Sequence, residues 1–427
     1  MSVNHFVSEQ ASCRFCKLEN LTKIWKISDS AYGDLFATKK EVAISASTHD
    51  LTLAYCLECK LLQLAQDTNI QVQYDDYLYQ TKITFGLNEF YKSVVKELVS
   101  LSISENLQVL DIGSNDGSFL RYFQEFGASV TGIEPAKTPS RVANENGVFT
   151  FHRYFDHNFG QELRKSQKMF DIISVNYTLA NIPHLKDFIA GIVEVLKKDG
   201  IVSIVTGYHP DQFNVNMFDY VGHDHLTYFT VSNLKRFFAE FGLRILDVKR
   251  VEHKGGSIVA FLSWENSSYA SKSTVHQLIQ REKWVKADTV EFVEELSTRI
   301  ERVKSGLWGY LKSENYEENS IVGLGASIST SYLIEFLEIG YLLNNLYDDD
   351  SLKHNRFSPR FGLTVLDLAN LSESKQDSAI LLAWQHTDRF LFRLEQLAYT
   401  GRVIVPLPYL RVFELIEGTA KLIYCSR

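Results

Sequence analysis

Residues 104–120 read Ser-Glu-Asn-Leu-Gln-Val-Leu-Asp-Ile-Gly-Ser-Asn-Asp-Gly-Ser-Phe-Leu. A short apolar strand ends in Asp111-Ile112-Gly113, a polar turn follows, and Ser118-Phe119-Leu120 opens a helix. Glycine at such a turn lets the backbone come close to a ligand. The next strand, Val130-Thr131-Gly132-Ile133-Glu134-Pro135, closes on an acid 21 residues past Gly113. At that spacing a Rossmann-like unit sets a carboxylate against ribose hydroxyls. Further along, the alternation of strand and helix continues. Strands are expected at Asp171–Asn176, Gly200–Gly207, Leu243–Val251 and Gly256–Ser263, with helical spacing at 185–196 and 231–241. Strands alternating with helices predict a doubly wound α/β sheet.

The turn Gly113-Ser114-Asn115-Asp116-Gly117 lacks the dense glycines of G-x-G-x-x-G that cradle a pyrophosphate. It is acidic instead, with Asp111 and Asp116 flanking it and Glu134 beyond. Such a loop repels a pyrophosphate and suits a cationic ligand that carries a ribose. S-adenosylmethionine (SAM) fits, with a carboxylate, an amine, a sulfonium and a ribose but no phosphate. Aspartate often merely caps a turn or helix, which explains one acid more easily than three. The expected cofactor contacts are Asp111, Gly113, Ser114, Asn115, Asp116, Glu134 and, at the end of the third strand, Asn176. Two strands in close succession at 243–263 predict an antiparallel edge. That ending suits a class I methyltransferase sheet better than a dehydrogenase sheet.

Composition bounds the rest. The chain has 427 residues, 45% hydrophobic and 22% charged, ordinary for globular proteins and enough for about three domains. A net charge of −8 argues against a nucleic-acid partner. No apolar run approaches the roughly 18–20 residues of a membrane span. The first ten residues hold neither a basic nor an apolar signal region, so a cytoplasmic protein is expected.

Four of the five cysteines form two C-x2-C pairs, Cys13/Cys16 and Cys56/Cys59, with 39 residues between them. Each pair can sit on a tight turn that aims both sulfurs at one point. Together they offer four thiolates to a tetrahedral, structural Zn²⁺. The gap exceeds the 15–20 residues of compact zinc ribbons, so a small subdomain must fill it. A redox dithiol would instead be a single pair inside a βαβ unit. Cys425 stands alone and reads as an inert small hydrophobe.

After the Gly200–Gly207 strand runs a polar, aromatic loop that includes Gly222-His223-Asp224-His225-Leu226-Thr227-Tyr228-Phe229. It leaves the carboxyl end of a parallel strand, where open α/β sheets bind ligands. His223 and His225 supply too few ligands for a metal on their own. A general base and a buried pair bonded to Asp224 both remain open readings. Beyond it, apolar positions at 292, 296, 300, 303, 307 and 311 predict a long amphipathic helix over 275–311. Strands at 320–324, 343–350, 378–384 and 402–406 make a second, smaller α/β unit. Its Gly323-Leu324-Gly325 turn either permits close helix–strand packing or faces a substrate phosphate.

Taken together the sequence resembles the nucleotide-sugar C-methyltransferases, which join an N-terminal zinc-binding domain, a central SAM domain and a C-terminal α/β domain. Matching segments are Cys56-Leu-Glu-Cys59-Lys-Leu-Leu-Gln-Leu64, Tyr77-Leu-Tyr79, Asp111-Ile-Gly-Ser-Asn-Asp-Gly117, His223-Asp-His-Leu-Thr-Tyr-Phe229, Gly255-Gly-Ser257, Gly323-Leu-Gly-Ala326, Phe357-Ser-Pro359 and Leu382-Ala-Trp384. The sequence departs where the family has Tyr-His-Glu-His, reading Gly222-His223-Asp224-His225. Lys254 separates His253 from the Gly-Gly-Ser turn, and Val259 stands where the family often has Arg.

The resemblance implies an α/β chain with a zinc-binding domain at 1–72, a class I SAM methyltransferase Rossmann-like domain at 73–268, a helical connector at 269–314 and a sugar-nucleotide-binding α/β domain at 315–427. It implies methylation of a ring carbon, C3, of a nucleotide-diphosphate 4-keto-deoxysugar through an enolate, with SAM and structural zinc as cofactors. His225 would be the base, Asp224 would orient it, and Tyr79 would donate to the keto oxygen. In place of the phenol lost at Gly222, either a bulkier sugar would fill the space or His223 would assume the role. Oxygen or nitrogen methylation of a related sugar and a non-catalytic sugar-nucleotide-binding relative are the competing readings. The oligomeric state stays open.

Overall fold

The computed structural model describes residues 6–33, 35–68, 86–374, 376–416 and 418–426. Tyr79 lies outside them.

The amino-terminal part is β-rich: β1 (Phe6–Glu9), β2 (Leu21–Ala31), β3 (Thr48–Cys56), β4 (Leu62–Leu64) and β5 (Gln66–Thr68). Strands β2, β3 and β4 form an antiparallel meander, and β1 pairs with β5. The two C-x2-C turns share one geometry. After each, a lysine takes left-handed backbone angles (Lys17 φ 64°, Lys60 φ 62°). In each, the first cysteine's carbonyl accepts from that lysine's N–H at 3.0 Å.

The central sheet contains β6 (Gln108–Ile112), β7 (Ser129–Ile133), β8 (Thr150–Phe151), β9 (Phe170–Asn176) and β10 (Leu196–Gly207). After the two-residue β11 (Thr227–Tyr228) come β12 (Leu243–Val251) and β13 (Ser257–Trp264). The spatial order is β12-β13-β10-β9-β6-β7-β8. Every pairing is parallel except those of β13, which is antiparallel to both its neighbours. The antiparallel strand is therefore inserted second from the end, and the edge expected from sequence is occupied by β12.

Alternation along the strands sends side chains to two cores. Val109, Ile172, Ile201 and Val205 pack under the Leu87–Leu101 and Ser118–Gln124 helices. Leu110, Ile173, Val202 and Ile204 face Phe159, Phe188 and Phe237 of helices on the other side. Burial on both faces is why these strands read as near-continuous apolar runs.

The region read as one helix over 275–311 is two, Ser273–Trp284 and Val290–Ser313. Lys286 breaks the first by turning left-handed (φ 55°). Thr289 starts the second, its hydroxyl accepting from the Phe292 N–H at 3.3 Å. Both halves are amphipathic, so spacing alone could not show the break.

The last sheet holds β14 (Ile321–Leu324), β15 (Leu343–Asp348), β16 (Val365–Asp367), β17 (Ser378–Leu381), β18 (Gly401–Val405), β19 (Arg411–Ile416) and β20 (Thr419–Cys425). Their order is β16-β15-β14-β17-β18-β19-β20, parallel through β18 and closed by an antiparallel hairpin.

The three parts interlock. Strand β11 crosses over to pair with β4, completing the amino-terminal sheet. One core cluster joins Trp25 and Leu53 of that sheet, Phe218 of the central loop, Leu296 of the long helix and Phe336 of the last domain. Among the described residues no helix is long and apolar enough to cross a membrane.

Candidate active site

The central sheet reverses its order between β6 and β9, and open α/β sheets bind ligands at that crevice. Gly113 turns there with φ 79°, and a Cβ on it would lie 2.2 Å from the Thr178 hydroxyl. The loop's first two amides, Gly113 and Ser114, donate to the Ile133 carbonyl. Asp111 sits at the floor, accepting from the Ser174 hydroxyl at 2.6 Å and the Asn176 amide at 3.3 Å. Glu134 closes β7, its two oxygens accepting from the Asn115 and Ala136 N–H groups at 2.8 Å each. Burial pushes both carboxyls up to about 7. Asp116 accepts from the Ser118 N–H at 3.1 Å, so it caps the following helix.

Two buried polar atoms in this crevice, the Ser114 hydroxyl and the Asn176 side-chain Oδ1, have no hydrogen-bond partner. Buried polar atoms are normally satisfied, and their orphaning on a ligand-binding edge fits a missing polar ligand. Asp111, Gly113, Ser114, Asn115, Glu134 and Asn176 thus lie about one crevice, while Asp116 works on the helix behind it.

The loop from β10 carries the histidines. His223 is buried and stacks on Tyr32, centroids 4.7 Å apart. Its Nδ1 lies 3.4 Å from the Tyr332 hydroxyl. His225 is half-buried between Tyr228 and Tyr220, with centroids at 4.5 and 5.5 Å. Its Nδ1 is sealed from solvent and has no hydrogen-bond partner. Asp224 therefore makes no hydrogen bond to His225 Nδ1. Burial pushes the His225 imidazole down to about 3, with the Lys254 charge adding to it. The side chain is thus neutral at pH 7.

Sequence reasoning missed three residues here. Lys254, left-handed at φ 52°, lays its ammonium 4.0 Å above the Tyr177 ring. Tyr177 follows Asn176 and is itself left-handed, at φ 51°. Tyr332 comes from the last domain, more than a hundred residues from His223. The only sequence signal for it is indirect, the glycine at 222.

The four paired cysteines gather their sulfurs within 4.8 Å of one another. Cys13 and Cys59 are 3.4 Å apart, Cys16 and Cys56 3.6 Å. A tetrahedral ion with sulfurs at about 2.3 Å needs edges near 3.8 Å, so the set fits one metal ion. The Cys59 contact draws the Cys13 thiol down to about 5. The cluster is packed against the central domain, where Phe15 stacks on Phe237 at 3.6 Å.

The helix start after Gly325 does not face outward as a free anion site. The Ala326 N–H donates to the Asp348 carboxylate at 2.7 Å, the Gly325 N–H to the Tyr347 carbonyl, and the Ser327 N–H to the Thr330 hydroxyl. A carboxylate thus already takes the Ala326 amide of this turn. The glycine turn instead serves close packing: a Cβ on Gly325 would lie 2.6 Å from that of Ala383.

Residues 86–248 match the family model of a methyltransferase domain, and residues 252–408 that of a C-methyltransferase C-terminal domain. The C-methyltransferase NovU of Streptomyces niveus is 23% identical over 403 residues, 94% of this chain and 96% of NovU. The ubiquinone biosynthesis O-methyltransferase of Bartonella quintana (strain Toulouse) is 25% identical over 130 residues, 30% of this chain and 53% of that protein. Among solved structures, the CcbJ methyltransferase from Streptomyces caelestis aligns at 12% identity, covering 46% of this chain and 96% of its own, with a TM-score of 0.34.

Proposed function

The chain is a SAM-dependent C-methyltransferase, and on that premise we propose that it methylates a ring carbon, C3, of a nucleotide-linked 4-keto-deoxysugar for branched-chain sugar biosynthesis. The observation that carries the reading is extent. Likeness to the C-methyltransferase NovU runs through 94% of the chain, whereas likeness to the ubiquinone-pathway methyltransferases, O- and C-methylating alike, stops at 130 or 131 residues. The last domain is therefore part of what is shared, and a second α/β unit gives a nucleotide-bound sugar somewhere to dock.

Carbon is a nucleophile here only after a C–H proton beside the ketone leaves. His225 is the proposed base. Its Nδ1 is closed off, so Nε2 is the nitrogen left to meet the sugar. Burial keeps the imidazole in its proton-accepting form, and the negative enolate forming beside it raises its basicity as the proton arrives. Asp224, the preceding residue, is the proposed stabiliser of the imidazolium that forms. Tyr79 and Lys254 are the proposed donors to the enolate oxygen. When bound, SAM would supply an electrophilic methyl group to that carbon, with S-adenosylhomocysteine as the leaving group. Asp111 and Glu134 hold the amine and ribose, with the Ser114 hydroxyl and the Asn176 oxygen filling their remaining bonds. Glu134 can do so while bonded to two amides, because a carboxylate has about four acceptor sites. The four cysteines hold a structural zinc ion.

The test is proton exchange in the absence of methyl transfer. Enzyme, keto sugar and S-adenosylhomocysteine in D2O should place deuterium at one ring position, read by mass spectrometry. His225→Asn should lose exchange and methyl transfer by about 10²-fold or more while still binding SAM. Methyl transfer by the unaltered enzyme with no exchange would instead favour oxygen or nitrogen methylation.

A further inference from the structure

Tyr332 belongs to the last domain, yet it is 1% exposed and sits between two glycines of other parts of the chain. A Cβ on Gly222 would lie 2.6 Å from its ring, and one on Gly33 3.0 Å from it. Neither glycine needs a left-handed backbone, since neither has a positive φ. Gly222 is small because the Tyr332 ring occupies the space beside it; at Gly33 the backbone carbonyl of Ile328 is the nearest obstacle and the Tyr332 ring the next.

The hydroxyl is fully used. It accepts from the His223 N–H at 3.2 Å and from the Gly33 N–H at 3.3 Å. A phenol has one proton to give, and with both acceptor sites filled that proton goes to His223 Nδ1, 3.4 Å away. Burial and the Asp224 charge push the phenol well above its usual range, so it keeps that proton. An imidazole that accepts at Nδ1 carries its own proton on Nε2. His223 is thereby held as a donor, unable to take up a proton at Nδ1 while Tyr332 is in place.

We propose that Tyr332 is a positioning residue for methyl transfer: from the last domain it fixes the Nε2–H tautomer of His223 and the backbone of the Gly222–His225 turn, and so aims His225 at the substrate. The inference rests on His225 being the base. It also explains Gly222. A side chain at 222 would displace the Tyr332 ring, so the phenol here reaches the histidines from another domain rather than from the residue beside them.

Tyr332→Phe removes one oxygen and keeps the ring. In the full-length enzyme, with a nucleotide keto sugar that the unaltered enzyme methylates, kcat should fall about tenfold or more. KM and SAM affinity should stay within about twofold. Unchanged kcat, or a fall that only tracks a lower Tm, overturns the proposal. A second measurement stands apart from activity: the ¹⁵N resonances of His223 in the unaltered enzyme should show Nε2 protonated and Nδ1 accepting. Finding the proton on Nδ1 overturns the proposal even if Tyr332→Phe fails to fold. If no keto sugar is methylated, the functional reading fails on its own, and the tautomer still decides the Tyr332–His223 contact.

Discussion

Asp111 and Glu134 govern how the cofactor crevice responds to pH. Burial pushes both up to about 7, yet on the proposed reading each must be ionised to accept from the amine and ribose of SAM. Binding should therefore expel protons. Affinity should weaken about fivefold per coupled group from pH 7 to 6, and level off above pH 8. For the free fold the direction is the reverse. Between about pH 4 and 7 the folded carboxyls retain protons that the unfolded chain has lost, so these two groups make stability fall as pH rises. Titration calorimetry at pH 6 and 8, in buffers of different ionisation enthalpy, checks both affinity and proton release. Flat affinity with no proton release would remove these carboxylates from the binding step. The acids themselves were legible in the sequence, because type and spacing mark them. Their hydrogen bonds were not: that Glu134 braces the Asn115 and Ala136 amides, and that Asp116 caps a helix, depends on loop angles such as the left-handed Asn115.

Elements were legible where a single local pattern decides them. The strands Leu243–Val251 and Gly256–Ser263 read nearly to the residue because both are bounded by glycine or charge. Strand β11, only Thr227–Tyr228, was not legible, because it exists through pairing with β4 far away in sequence. The glycine turn at 323–325 could be read from sequence as close packing or as an anion cradle, and the Asp348 carboxylate on the adjoining Ala326 amide is visible only in the fold. The turn at Gly113 differs: its φ of 79° and the nearby Thr178 hydroxyl leave no room for a side chain. Gly113→Ala should thus distort the turn that carries Ser114 and Asn115. SAM affinity should drop tenfold or more in titration, with far-UV circular dichroism unchanged. Unaltered affinity would mean that this backbone does not approach the cofactor.

At the scale of the molecule, the cysteine cluster is tied to the catalytic loop by more than proximity. Cys56 ends β3 and Cys59 precedes β4, the strand on which β11 pairs. The pairing sets Thr227 opposite Gln63 and Tyr228 opposite Leu62. Tyr228 in turn lies against the His225 ring. The metal that would hold the two cysteine turns therefore sits at one end of a short mechanical chain, and His225 at the other. The proposed SAM crevice, at the carboxyl ends of β6 and β9, meets the cysteine turns only through packing in a shared core and not through this strand pairing. Removing the metal should accordingly separate two properties. As a strong chelator strips zinc, methyl transfer should fall in step with metal content, while SAM affinity falls later and less. Metal binding to thiolates is folding free energy for the turns it closes, so Cys56→Ser should also lower Tm. Metal analysis, transfer rate and SAM titration on the same chelated samples decide the matter. Folded, fully active protein with a zinc content near zero would break the link at its first step. Parallel loss of transfer and SAM binding would place the crevice on the same chain as His225.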